Sequence, residues 1–571
     1  MAALQDLGEV ISTDVLIIGG GIGGLTAAVK AKEENPDADV LIVEKQTAGW
    51  AGKATKIGGI LAFLGPNNNA DKFMEFQVRN SGYYLNDQNA LEKYVNSTFP
   101  AILDFEKLGE KMARTPDGKL LMIPTFFAPE YSSTFIDLDL QLPVFAKARK
   151  LGAKFVNKVH VGDLLTEFNK VVGAVGFDMI TGKFYIFKAK STILANGSCG
   201  YKIRRFWVAG TGDGVAAAYR VGAEMRNAEF GNLYGHTVYQ DTDGGMVGHQ
   251  FLVNKLGENM AKKYLPSDGP TGVFLPVPLA VGMEKEIAEG NGPITFAPPP
   301  ANASFGGHGG GGGGGGLPKL ESWSRRMAEK DKKYGLPPGT PRPIAIPLHG
   351  ETSCIKVDLE MRTTIEGLWA IGDTSYSGSA VAGAINSPPG VVPGSGIMYA
   401  VISAAWAGPS AARYAKQASA GSVKESEVKN IKDKVFKPLN QSKGSSPQEL
   451  ISNLQDITAP IKYSLRRSKE RLNEALTKLE EIKSKTPSLL AKDFHYLARC
   501  HEVESMALCA ELTMRAALMR EESRGCHFRE DYPKRDDKNW LKWVIIKQEN
   551  GKMKLSTQPI PVNQYKFKPN I

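Results

Sequence analysis

The chain has 571 residues, more than one typical domain, so two to four core-bearing units with room to bury a large cofactor are expected. Its composition is that of an ordinary soluble protein, and its net charge of +10 suits anionic partners: a carboxylate, CoA-like or nucleotide substrate, or an acidic electron carrier. The basic residues are spread rather than blocked, which argues against nucleic-acid binding. Residues 1–12 lack a basic and then apolar leader, and no window has the apolar length of a bilayer span, so a cytoplasmic protein is expected. The five cysteines, Cys199, Cys354, Cys500, Cys509 and Cys526, show no C-x-x-C spacing, which argues against a zinc site, a disulfide framework or a bound cluster.

From Asp14 to Lys45 the sequence reads as strand, turn, helix and strand. Val15 to Ile18 form an apolar run, and Gly19, Gly21 and Gly24 follow in G-x-G-x-x-G register. The first glycine allows the tight turn, the second lets amides approach a pyrophosphate, and the third lets the helix pack closely on the sheet. Phosphate would sit at the helix N-terminus. Leu25, Ala27, Ala28 and Ala31 carry the helix to Asn35-Pro36, and Val40 to Val43 give a second strand ending in Glu44, whose carboxylate can accept from both hydroxyls of an adenosine ribose, with Lys45 beside it. The small-residue loop from Ala48 to Ile60, which includes Ala51, Gly52, Gly58 and Gly59, lets backbone lie along a flat aromatic cofactor.

Residues 69–111 suggest helices with Phe73, Phe76, Val78, Leu91, Tyr94, Val95, Ile102, Leu103 and Phe105 facing a core. Phe155 to Thr166 and Val171 to Phe187 read as strands, with a turn at Thr181-Gly182, and Thr192 to Leu194 as a buried strand entering the small turn Ala195-Asn196-Gly197. Thr211-Gly212-Asp213-Gly214 starts a helix, with Asp213 able either to cap it or to face a cofactor. The eight glycines Gly309 to Gly316, inside a loop spanning 306–316, bury nothing and are expected to form a surface loop or linker. Gly367-Leu368-Trp369-Ala370-Ile371-Gly372-Asp373 is a strand ending in a carboxylate, and the small-residue run from Ser377 ends at Gly394-Ser395-Gly396-Ile397, a second helix start. Beyond Gly408 the composition becomes helical, with expected helices over Tyr463 to Lys483 and Leu489 to Glu522.

On the Ala48–Ile60 loop, the T-G-D-G turn, the G-L-W-A-I-G-D strand and the run Glu522-Ser523-Arg524-Gly525-Cys526-His527-Phe528-Arg529, the chain resembles the flavoprotein subunits of the fumarate reductase and succinate dehydrogenase family, which includes the adenylylsulfate reductase alpha subunit. The resemblance implies an α/β protein: a Rossmann-like FAD-binding domain (1–235 and 347–415), an inserted α+β capping domain (236–346), a C-terminal helical domain (416–530) and a C-terminal extension (531–571). It adds Val161, over the adenine, and Ala195, Asn196, Gly197, Asp213, Asp373, Ser395 and Ile397 to the FAD contacts. His160 is expected to be structural, and the charged residues after Arg520 to form a network tying helices to the flavin domain. Gly52 or Lys53 stands where respiratory members carry a flavin-linking histidine, so FAD is expected to be non-covalent.

The family's substrate-clamping arginine is missing from Gly383-Ala384-Ile385-Asn386. His349 is the first candidate for a substrate-facing group, followed by Tyr234 and His236, with Arg325 or Arg326 as a capping-domain proton donor and Arg204 and Arg205 as anion attractors. The implied activity is an FAD-dependent oxidoreductase that moves electrons between an anionic small molecule and an iron–sulfur or ferredoxin-like partner. A stand-alone enoate reductase or dehydrogenase, and an FAD-binding electron-transfer or scaffold subunit without substrate chemistry, are the alternatives.

Overall fold

The computed structural model describes residues 4–57, 59–109, 111–125, 128–203, 210–231, 237–238, 251–265, 277–296, 342–345, 351–385 and 394–570. Its central sheet forms from apolar runs buried on both faces. Strand β1 (Glu9–Ile18) contains Val15, Leu16 and Ile17 in full burial, and it is followed by helix α1 (Ile22–Glu34) and strand β2 (Val40–Glu44). Strands β3 (Lys154–Asn157), β4 (Val159–Glu167), β5 (Lys170–Asp178) and β6 (Phe184–Leu194) come next, then helix α2 (Asp213–Arg220), strand β7 (Leu368–Ala370), helix α3 (Ser395–Gln417) and helix α4 (Phe494–Met519).

The strand order is β3-β2-β1-β6-β5-β4, with β7 also paired to β6. Strands β1, β2, β3, β6 and β7 run parallel, and β5 pairs antiparallel with both β4 and β6. The register sets Ile18 beside Val43 and Leu194, and Ala370 beside Leu194. Four strands therefore end at one level, and the segments that leave them, at Gly19, Glu44, Ala195 and Ile371, start from a shared edge. In open α/β sheets this carboxyl edge is where ligands bind.

Four expectations need correction. Phe155 to Thr166 is two strands, because Lys158 has φ +65° and turns the chain from parallel β3 into antiparallel β4. Tyr463 to Lys483 is not one helix: Ser468 Oγ accepts from Arg471 N at 3.3 Å and starts a new helix, Lys469–Lys485. Likewise α4 begins at Phe494 rather than Leu489, because the Asp493 carboxylate accepts from Tyr496 N at 2.8 Å. Leu103, read as core, is 38% exposed.

A four-stranded antiparallel sheet joins Thr237–Val238, Arg342–Ala345, Thr295–Phe296 and Leu252–Val253 in that order. Beneath it Leu252, Met260, Leu279, Met283 and Ile294 form a small separate core that includes Leu465 from the helical region. No helix among the described residues is long and apolar enough to cross a membrane.

Within the charged run that starts at Arg520, Arg520, Glu522, Arg524, His527 and Arg529 are buried. Arg520 pairs with Glu229 at 2.7 Å and Glu522 at 2.9 Å, and Arg524 pairs with Glu522 at 2.7 Å and Asp537 at 2.8 Å. Arg520 also donates to the Lys542 carbonyl at 2.7 Å. Burial, reinforced by Arg467 and Arg520, pushes His527 well below the ordinary histidine range, so the ring is neutral. Its Nδ1 accepts from Arg467 at 2.8 Å, which leaves Nε2 to donate to the Arg520 carbonyl at 3.2 Å. The network joins the C-terminal segment to Glu229, the start of the crossing into the inserted sheet.

Removing one member of such a network leaves buried charges uncompensated. Glu522→Ala is expected to lower stability by about 3–5 kcal/mol in urea unfolding. Arg535→Ala breaks a 3.0 Å pair with Asp537 at a side chain 40% exposed, and should cost less than about 1 kcal/mol.

Candidate active site

Where β1 ends, Gly19 has φ +116°, and a Cβ there would lie 2.3 Å from the Ala195 carbonyl oxygen. At Gly24 a Cβ would lie 1.9 Å from the Gly19 carbonyl oxygen, so the start of α1 sits against the turn as only glycine permits. Gly21 precedes α1 and supplies no side chain to close the helix end. Instead Gln141 fixes the neighbouring loop. Its Oε1 accepts from Ile22 N at 3.0 Å, and its Nε2 donates to the carbonyls of Gly49 and Ala51 at 3.1 and 3.0 Å. Glu44, buried at the end of β2, accepts from Gly20 N at 2.5 Å and Gln46 N at 2.6 Å. A carboxylate has about four acceptor positions, so two remain for a ligand's hydroxyls.

Next to Glu44, Lys45 Nζ lies 2.9 Å from Asp213 and 2.5 Å from Glu502 of α4, and Lys202 also contacts Glu502. Burial alone would push the Lys45 ammonium down, but the two carboxylates hold it above the ordinary lysine range. Asp213 is correspondingly driven below the ordinary carboxylate range: burial works against this, and the charge of Lys45 outweighs it. Asp213 does not cap its helix. Gly212, at φ +73°, holds the cap position, and the Asp213 carboxylate accepts from Thr211 Oγ1 at 2.8 Å and from Lys45. His160 is 2% exposed, with its ring 5.5 Å from Phe177 and 5.9 Å from His501. Burial, aided by Lys45 and opposed by Asp213, lowers its pKa to about 4.

A second charged group stands further along the same edge. Lys53 Nζ is 2.6 Å from Glu351 and from Asp373, and 3.2 Å from Ser198 Oγ. Asp373 sits in the short turn Gly372–Thr374 that follows β7. Beyond it, Gly394 at φ +92° precedes α3 with no side-chain cap, and Tyr376 meets Tyr399 edge-on with ring centroids 4.8 Å apart.

One cavity of about 500 Å³ connects these groups. Its walls include Gly19, Gly21, Glu44, Lys45, Ala51, Gly52, Val161, Ala195, Asn196, Gly197, Asp213, Asp373 and Ile397 from the sequence-read set. Gly24 lies behind the wall. Gly59 (φ +117°) and Ser395, whose carbonyl accepts from Tyr94 OH at 3.5 Å, are also off the lining. Gly58, Tyr234, His236, Arg325 and His349 lie outside the described residues, as do Arg204, Arg205, Arg326 and the polyglycine run. The residues that sequence reasoning missed are Gln141, Lys202, Ser198, Glu351 and the α4 side chains His495, Arg499 and Glu502, all of which line the cavity.

The cavity suits a dinucleotide on its own terms. Among the described residues Asn196 Oδ1 and Asp213 Oδ1 are buried with no protein donor, and such acceptors are completed by hydroxyl or N–H groups of a ligand. A volume of this size is in the range of cofactor sites. Among the described residues no group of three or more His, Cys, Asp or Glu could hold a metal ion, and all five cysteines are buried thiols outside any disulfide.

A family model described as an FAD binding domain matches residues 14–247, and one described as the C-terminal part of fumarate reductase flavoproteins matches residues 453–571. An uncharacterized FAD-dependent oxidoreductase of Methanocaldococcus jannaschii is 26% identical over 562 residues, which cover 94% of this chain and 96% of that one. The flavoprotein subunit of the 8-methylmenaquinol:fumarate reductase of Wolinella succinogenes is 26% identical over 594 residues, covering 97% of this chain and 92% of its own. Among solved structures, the FrdA chain of an E. coli quinol fumarate reductase mutant shares the fold, with a TM-score of 0.80 at 20% identity and 98% of each chain covered.

The depressed value at His160 carries a sign. In the unfolded chain the imidazole takes up a proton near pH 6.5, and in the fold only near pH 4. The folded state therefore loses stability relative to the unfolded state as pH falls from 6.5 toward 4, by on the order of 3 kcal/mol, and the contribution is complete above pH 6.5. In urea unfolding, the stability of wild type relative to His160→Phe should fall across that window and stay level above it.

Proposed function

Because this chain belongs to the fumarate reductase and succinate dehydrogenase flavoprotein family, we propose that it is a flavoprotein subunit moving electron pairs between an anionic small molecule and an iron–sulfur or ferredoxin-like partner. The chain is an FAD-dependent oxidoreductase. The observation that supports the flavoprotein reading is the cavity of about 500 Å³ whose lining extends from Glu44 to Gly396 and Ile397 in the first turn of α3.

When bound, FAD supplies the two-electron chemistry. The residues of the chain would bind, orient and screen. Glu44 would accept the adenosine ribose hydroxyls beside Lys45, and the N-terminus of α1, where Gln141 takes only the Ile22 N–H, would face the pyrophosphate. Asp373 would hold the linker to the ring. The N-terminus of α3, with the partial positive charge of aligned peptide dipoles, would face the ring's pyrimidine edge, where negative charge develops on reduction. Binding would be non-covalent: Gly52 has no side chain, and the Lys53 ammonium is held in ion pairs with Glu351 and Asp373. The anionic character of the substrate rests on the net charge of +10. Ile385-Asn386, in the stretch where family members carry the clamping arginine, supports a substrate held differently from theirs.

Acid precipitation of the yellow protein is expected to release the flavin into the supernatant; flavin remaining with the pellet would contradict the non-covalent site. After anaerobic reduction, at least one acid from a panel of enoates, keto acids and nucleotide anions should reoxidise the flavin without any partner protein. If none does, while a reduced ferredoxin-like protein still reduces the flavin, the chain is an electron-transfer subunit and the substrate part of the proposal fails.

A further inference from the structure

Lys53 stands apart from the other cations of the cavity. Lys45 and Lys202 are bound to Asp213 and Glu502, and His495 and Arg499 sit on α4 beside that same cluster. Among the described lining residues, Lys53 is the cation paired with Glu351 and with Asp373, which sits in the turn that leads on to Tyr376. Its ammonium meets both oxygens of Glu351, at 2.6 and 2.7 Å, and Asp373 Oδ2 at 2.6 Å. The three come from separate stretches: the loop after Gly52, the return from the inserted sheet, and the turn after β7. The Glu351 side chain is 3% exposed, so water does little to screen its charge, whereas Asp373 is 28% exposed.

Resting on the FAD-oxidoreductase reading above, we propose that Lys53 sets the reduction potential of the bound flavin by neutralising Glu351 at the ring end of the cavity. A reduced flavin ring carries more negative charge than an oxidised one. A buried carboxylate beside it opposes reduction, and a cation held against that carboxylate removes the opposition. Lys53 is thus a potential-setting residue that acts through Glu351. Lys53 offsets one of the two carboxylates it meets, Glu351 and Asp373, and α3 adds its own positive end.

The test is the midpoint potential of the flavin-loaded full chain, measured anaerobically against a reference dye. Lys53→Met should lower the equilibrium constant for reduction at least about tenfold, close to 30 mV for a two-electron couple. Glu351→Gln, which leaves Lys53 in place, should raise it. The double variant Lys53→Met with Glu351→Gln should return to within about threefold of wild type, roughly 14 mV. A purely structural lysine would instead lower flavin occupancy without moving the potential of the flavin that remains, and removing Glu351 would not reverse that loss. A Lys53→Met protein whose midpoint matches wild type, or a double variant that stays shifted, overturns the proposal. Should Lys53→Met fail to hold flavin, Glu351→Gln decides alone: an unmoved or lowered potential overturns it. A wild-type chain that takes up no flavin would refute the underlying reading, whereas a yellow wild type with unmoved variants refutes only the role of Lys53.

Discussion

The site depends on the register of the parallel strands. With Ile18, Val43, Leu194 and Ala370 held level by the hydrogen-bond ladder, four connecting segments leave the sheet at the same height. A shift of one residue in any of these pairings would turn its side chains to the opposite face and move Glu44, Ala195 or Asp373 off the shared edge. Full burial of Val15, Leu16 and Ile17 resists such a slip, because both faces of β1 are already filled by apolar contacts. The closeness of Gly24 to Gly19 then fixes the start of α1 on this edge, and Gly408, whose Cβ would lie 2.6 Å from the Ala27 carbonyl oxygen, lets α3 pack against α1 backbone to backbone.

Charge is organised around the cavity in two clusters, each with cations held between carboxylates. At the Glu44 end Lys45 and Lys202 serve Asp213 and Glu502; at the α3 end Lys53 serves Glu351 and Asp373. Both clusters join distant segments, and the first ties the helical region to the sheet through Glu502 of α4. Buried Arg520 makes a second such link, to Glu229, which begins the crossing into the inserted sheet. Electrostatics thus links the FAD-binding sheet to the C-terminal helices at two places, and one of them is a wall of the cavity.

What could be read from sequence is what local geometry dictates. Gly19, Gly21 and Gly24 declare a turn that admits no Cβ, and Glu44 and Asp373 each end an apolar strand, so short spacing carried their meaning. Lys45 with Asp213 and Lys53 with Asp373 are 168 and 320 residues apart, and no period or spacing links them; only the fold does. Gln141 and Glu351 escaped notice for the same reason, as polar residues whose partners lie in other segments. The break at Lys158 was hidden because a lysine in the left-handed region gives no compositional sign. The helix starts at Ser468 and Asp493 were legible in principle, since each is a capping residue that the helical periodicity on either side obscured.

The central claim is that this cavity binds a flavin through its adenosine half as well as its ring. Titration of flavin-stripped protein with FAD and with FMN tests it most directly. Loss of the contacts at Glu44, Lys45 and the start of α1 should weaken FMN relative to FAD by at least about a hundredfold, or roughly 2.7 kcal/mol, with one FAD bound per chain. Equal affinity for the two flavins, or no binding of either by the folded protein, would contradict the account.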